Sequence, residues 1–81
     1  MSRITDTMAD EFYSHAGLEE DAAQRAARAV ASRASYLKRE LDEESAQAVA
    51  HAIAASRRYA GLTAIGSGFY DGTICAYTEA R

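Results

Sequence analysis

AAQRAARAVASRASYLKREL, residues 22–41, is the stretch on which the fold turns. Within it Ala23, Ala27, Val30, Ala34, Leu37 and Leu41 step by 4, 3, 4, 3 and 4 residues, the spacing of one helix face packed against another. The first half of that seam is lined with alanine, so a partner helix can approach closely. Proline is absent from the whole chain, and alanine is the best intrinsic helix former. The spacing predicts a helix over about residues 19–40. Glu19, Glu20 and Asp21 stand at its start, where exposed N–H groups and the positive dipole end favour carboxylates.

Downstream, Asp42 reads as the N-cap of a third helix over about residues 43–60. Ala46, Val49, Ile53 and Ala60 form its apolar stripe, with Ala50 and Ala54 beside it. Arg57 and Arg58 suit its negative C-terminal end, and Gly61–Leu62 reads as its stop. One continuous helix through Leu41–Ser45 is the alternative, since no residue there forbids it. The acids at 40, 42, 43 and 44 favour a break. With a tight connection, the second and third helices are expected to pair as an antiparallel helical hairpin that forms the core. Upstream, Ile4, Met8 and Phe12 recur every four residues and predict a short helix over about 4–15, stopped by Gly17 in the left-handed region.

From Leu62 the pattern changes. Gly66, Gly68 and Gly72, with Thr63, Ile65, Phe69, Tyr70, Thr73, Ile74 and Tyr77, favour strand and turn. Asp71–Gly72 is a strong signal for a two-residue turn. The expectation is a C-terminal two-stranded β-hairpin over about 62–78, with Phe69 facing Ile74 on one side and Tyr70, Cys75 and Tyr77 on the other. A lone hairpin is marginal in water, so it should pack on the helices or pair with another chain. The fold class read from residues 1–81 is thus mainly α (α+β), in one small domain.

Apolar residues make up 48% and charged residues 26%, a globular composition rather than a disordered one. A domain of this length buries only about 60% of its unfolded surface and often leans on disulfides, metal or self-association. The single cysteine, Cys75, excludes an internal disulfide. His15 and His51 lie far apart with no partner at ligand spacing, so neither a metal site nor any other cofactor is expected. Self-association, as a homodimer, is the remaining support. The residues after Met1 show no apolar leader, and no run is long enough to span a bilayer. No membrane partner and a cytoplasmic location are expected. A net charge of −3 argues against general nucleic-acid binding.

Charge is unevenly spread, however. Arg25, Arg28, Arg33, Lys38 and Arg39 follow one another with no acid between them. Helix electrostatics explains much of this pattern. At 100° per residue, Arg25, Arg28, Ser32, Tyr36 and Arg39 fall within about 80° on the side opposite the seam. Guanidinium groups bind carboxylates and phosphates bidentately, and arginine with tyrosine is enriched at binding hot spots. A plain solvated face, with Asp21 pairing to Arg25 one turn on, is the competing reading. Arg57, Arg58 and Tyr59 offer the same chemistry on a second helix.

Catalytic chemistry finds little footing. Gly66-Ser67-Gly68 lacks the lysine and spacing of a phosphate loop and is expected to precede a strand rather than a helix. Cys75 and His51 have no nucleophile motif around them, and the clustered carboxylates are explained as caps. The expected function is a non-catalytic, stoichiometric binding protein whose partner is another protein. In type, though with no matched motif, the chain resembles small inhibitors encoded by phages and mobile elements, anti-CRISPR-like or otherwise anti-defence. An oligomeric binder of a small anionic ligand, such as a nucleotide, through the arginine–tyrosine face is the alternative. A small enzyme ranks last.

Overall fold

The computed structural model describes the backbone of residues 3–60 and 67–78, and the side chains of residues 3–56 and 70–78. Four helices follow in order: α1 (Arg3–Ala16), α2 (Glu20–Tyr36), α3 (Glu43–Ala60) and α4 (Ser67–Thr78). No strand occurs among the described residues. Residues from all four helices contribute to one buried apolar cluster.

The expected C-terminal hairpin is overturned, because Ser67–Thr78 is a helix. Leu62, Thr63, Ile65, Gly66 and the Gly61–Leu62 stop lie outside the described residues. The hairpin reading placed Tyr70 and Ile74 on opposite faces, whereas the helix turns both inward. Ile74 is fully buried, and Thr78, one turn later, is nearly so. Tyr70 packs half-buried against the same cluster. A type I′ turn needs positive φ at both central residues, and among the described residues only Gly17 and Lys38 have positive φ. The Thr78 hydroxyl donates to the Ile74 carbonyl at 2.7 Å, which satisfies a β-branched polar side chain within a helix. Strand propensity measures fit to a half-buried pleated surface, and helical packing of Ile74 outweighed it here. The sheet edge, one ground for self-association beside the small core, is absent among the described residues.

The centre of the core is a second correction. α1 packs most extensively, against both α3 and α2, while α4 closes against α3 and α2. α2 and α3, expected to form the core hairpin, meet each other at most marginally among the described residues. The reason lies in side-chain size. Ala23, Ala27 and Ala34 on α2 and Ala46, Ala50 and Ala54 on α3 are all buried, and two alanine faces packed together would remove little apolar area from water. Met8 and Phe12 of α1 fill that space instead and are fully buried. Burying a side chain of that size is worth about 1.5–3 kcal/mol. Val30, Val49, Ile53 and Ile74 complete the large fully buried set.

The break between α2 and α3 is built from both sides. α2 stops at Tyr36, short of the expected end near residue 40. Lys38 adopts the left-handed conformation with φ 58°. The Arg39 N–H then reaches the Ala34 carbonyl at 2.9 Å and the Lys38 N–H the Ser35 carbonyl at 3.0 Å, the paired bonds of a Schellman termination. On the far side the Asp42 carboxylate accepts the Ser45 N–H at 2.7 Å, an N-cap for α3. Gly17, with φ 68°, ends α1 in the same left-handed way. Within the described residues, no helix is long and apolar enough to cross a membrane.

Candidate functional site

The solvent face of α2 carries part of the expected stripe. Arg25, Arg28, Ser32 and Tyr36 are all exposed and span about 16 Å at 1.5 Å per residue. Neither Arg25 nor Arg28 makes an ion pair among the described residues; in particular, the Asp21–Arg25 bridge of the competing solvated-face reading is not formed. Glu20 and Asp21 line the same shallow groove as the two arginines, so the groove is of mixed sign. Arg39 does not belong to this stripe. The left-handed turn at Lys38 carries it off the helix axis, and it lines a separate open groove with Ser35, Asp42 and Thr78.

Arg33 is the residue that periodicity missed. It lies between the seam and the stripe of α2 and holds the Asp71 carboxylate of α4 through a two-pronged fork, Nε to Oδ1 at 2.9 Å and Nη2 to Oδ2 at 2.6 Å. Its guanidinium carbon also sits 4.6 Å from the centre of the Tyr36 ring, within cation–π range. Tyr36 remains 74% exposed, so one face of its ring is braced while the rest meets solvent. The fork's hydrogen bonds, and to a lesser degree the opposite charge of the partner, hold Asp71 below the usual carboxylate range and raise Arg33 further above its own. No sequence spacing announced this pair, because the Asp71–Gly72 turn signal assigned the aspartate to a hairpin.

Arg57, Arg58 and Tyr59 lie in the last turn of α3, and their side chains fall outside the described ones. Ser67 and Gly68 open α4 rather than preceding a strand, yet the lysine of a phosphate loop is still missing. Cys75 is half-buried on α4, and none of the described interactions joins it to His51.

A second constellation forms where α1 meets α3. Glu11 and His15 stand one turn apart on α1, and Gln47 and His51 one turn apart on α3. Helix packing brings the two histidines to 4.8 Å between ring centres, with the rings edge to face at 77°. Glu11 Oε2 lies 3.4 Å from His15 Nε2 and 3.3 Å from His51 Nδ1, while Gln47 Nε2 donates to Oε1 at 3.2 Å. The expectation that the histidines have no partner at ligand spacing is thereby corrected. Separation along the chain hid a juxtaposition made by two helices. Glu11, His15 and His51 offer three donor atoms within 4.8 Å of one another, the one group of this kind among the described residues. The chain matches no protein-family model, no curated protein and no solved structure at a significant level.

Proposed function

We propose that the protein is a non-catalytic, stoichiometric binding protein that takes an acidic surface of another protein on the exposed face of α2. The observation that supports this most directly is the braced pair of Tyr36 and Arg33. Tyrosine and arginine dominate binding hot spots. A ring already held by a guanidinium, itself locked by Asp71, has little side-chain freedom left to lose on binding. Arg25 and Arg28, without ion-pair partners among the described residues, supply positive charge along the same face. Charge complementarity of this kind steers encounter and sets specificity. Glu20 and Asp21 beside them make the face mixed in sign, which suits an extended protein surface, mainly acidic but carrying both charges, better than a compact polyanion such as a nucleotide. In its specific form the proposal is a phage- or mobile-element-encoded inhibitor of a host defence system, acting in the cytoplasm of the host cell. That form rests on small size and acidic balance alone.

Affinity capture from the native host with the wild type and an Arg28→Glu/Tyr36→Ala variant tests this reading. Both positions are exposed, so circular dichroism should be unchanged in the variant. The expected result is a protein retained by the wild type, released by salt, and lost from the variant. Equal retention by the variant would refute the α2 face as the binding surface. Thermal stabilisation by nucleotides without any captured protein would instead favour the small-anion reading, and capture only of the chain's own copies, with a dimer in sedimentation, would favour self-association.

A further inference from the structure

We infer that Glu11, His15 and His51 form a binding site for a divalent transition-metal ion of the zinc class, clasping α1 onto α3. The donor set is two imidazole nitrogens and one carboxylate oxygen, which suits zinc and its neighbours rather than magnesium or calcium. Ligands bound tetrahedrally at about 2.0–2.1 Å from zinc stand about 3.3 Å from each other. The carboxylate oxygen already lies 3.4 Å from His15 Nε2 and 3.3 Å from His51 Nδ1. Two edges of the coordination polyhedron are therefore in place. The third, between the imidazole nitrogens, is no longer than 4.8 Å and closes by rotation of two side chains that are 45% and 59% exposed.

The surroundings favour the same occupant. Glu11 is only 14% exposed, and its partners among the described residues are two imidazoles and the Gln47 amide, with no arginine or lysine. A carboxylate shielded from water is costly unless its charge is balanced, and a divalent ion between the imidazoles would balance it. Gln47 donates to Oε1 and leaves Oε2 to face both rings, the outer-shell orientation that metal-binding carboxylates receive. Three protein ligands leave a fourth position for water, on the side of an open groove bordered by Glu44 and Tyr77. The clasp would join the two helices in most extensive contact. This site lies apart from the Arg33–Tyr36 face and does not depend on the function proposed for it.

The test uses the full chain without a histidine tag, stripped of metal with a chelator and titrated with zinc chloride in a calorimeter. One saturable site per chain is expected, with a melting temperature raised by zinc and unmoved by magnesium at the same concentration. His51→Ala and His15→Ala should each weaken zinc at least about 100-fold, and Gln47→Ala about 10-fold, in line with losses seen when ligand supports are removed. Cys75→Ser should leave the affinity unchanged. Cobalt in place of zinc should give the visible absorption of a low-symmetry four- or five-coordinate site in the wild type, and lose it in His51→Ala. If an alanine variant unfolds, Glu11→Gln, which keeps the side-chain volume, supplies the same comparison. No saturable zinc binding, or affinity unaltered in His15→Ala and His51→Ala, or affinity lost only in Cys75→Ser, would each overturn the site.

Discussion

Gly72→Ala gives the sharpest check on the fold, because a helix and a hairpin demand opposite signs. Gly72 is exposed within α4, and a Cβ built on it meets nothing within 4 Å. Its φ is not positive, unlike that of Gly17. In a helix interior, glycine is about 0.8–1.0 kcal/mol less favourable than alanine, chiefly through backbone entropy. The substitution should therefore stabilise the protein by about 0.8–1.0 kcal/mol. For a domain of this size that is a rise in melting temperature of about 3–8 °C. Gly17→Ala is the matched control. There too a Cβ meets nothing within 4 Å, but φ is +68°, and a left-handed non-glycine residue costs about 1–2 kcal/mol. The same chemical change should thus raise stability at one position and lower it at the other. Urea unfolding followed by far-UV circular dichroism reads both. A loss of about 1 kcal/mol or more at Gly72 would place it at positive φ, as in a type I′ turn, and would refute the helical reading of 67–78.

Two further outcomes follow from the ion pair and the left-handed lysine. Because the Arg33 fork holds Asp71 below the usual carboxylate range, its contribution is present above the unfolded carboxyl value of about 3.9 and is lost as pH falls through the depressed folded value. Asp71→Asn should start less stable at neutral pH and fall less steeply on acidification below about pH 5, and equal slopes in urea titrations would refute the coupling. Lys38→Gly should relieve the left-handed strain behind α2 and gain about 1 kcal/mol, read as a higher urea midpoint. An unchanged or lower midpoint would show that the lysine side chain offsets the strain of its own backbone.

The stripe on α2 was legible because the seam fixes the opposite face: once Ala23, Ala27, Val30 and Ala34 turn inward, Arg25, Arg28, Ser32 and Tyr36 must turn outward. Arg39 was placed wrongly because its position assumed three more helical residues than the Lys38 turn allows. The helical register of α4 was also present in the residues, since Tyr70, Ile74 and Thr78 are four apart. The glycines, β-branched and aromatic residues around them carried a stronger local signal for strand.

Taken alone, the sequence determined the order of three helices in the first 60 residues (though not the early end of α2 at Tyr36), the caps at Gly17 and Asp42, and the inward faces of α2 and α3. These depend on interactions within a turn or two of chain, which periodicity and residue chemistry report directly. Tertiary structure alone decided that α1 sits between the two alanine seams, that Asp71 meets Arg33, and that His15 meets His51 across Glu11. Each of these joins residues on different helices, where spacing along the chain carries no information. The core chose its partners by volume: alanine faces have too little side chain to fill the space between them, so Met8 and Phe12 entered it, and the seating of α1 brought Glu11 and His15 against α3.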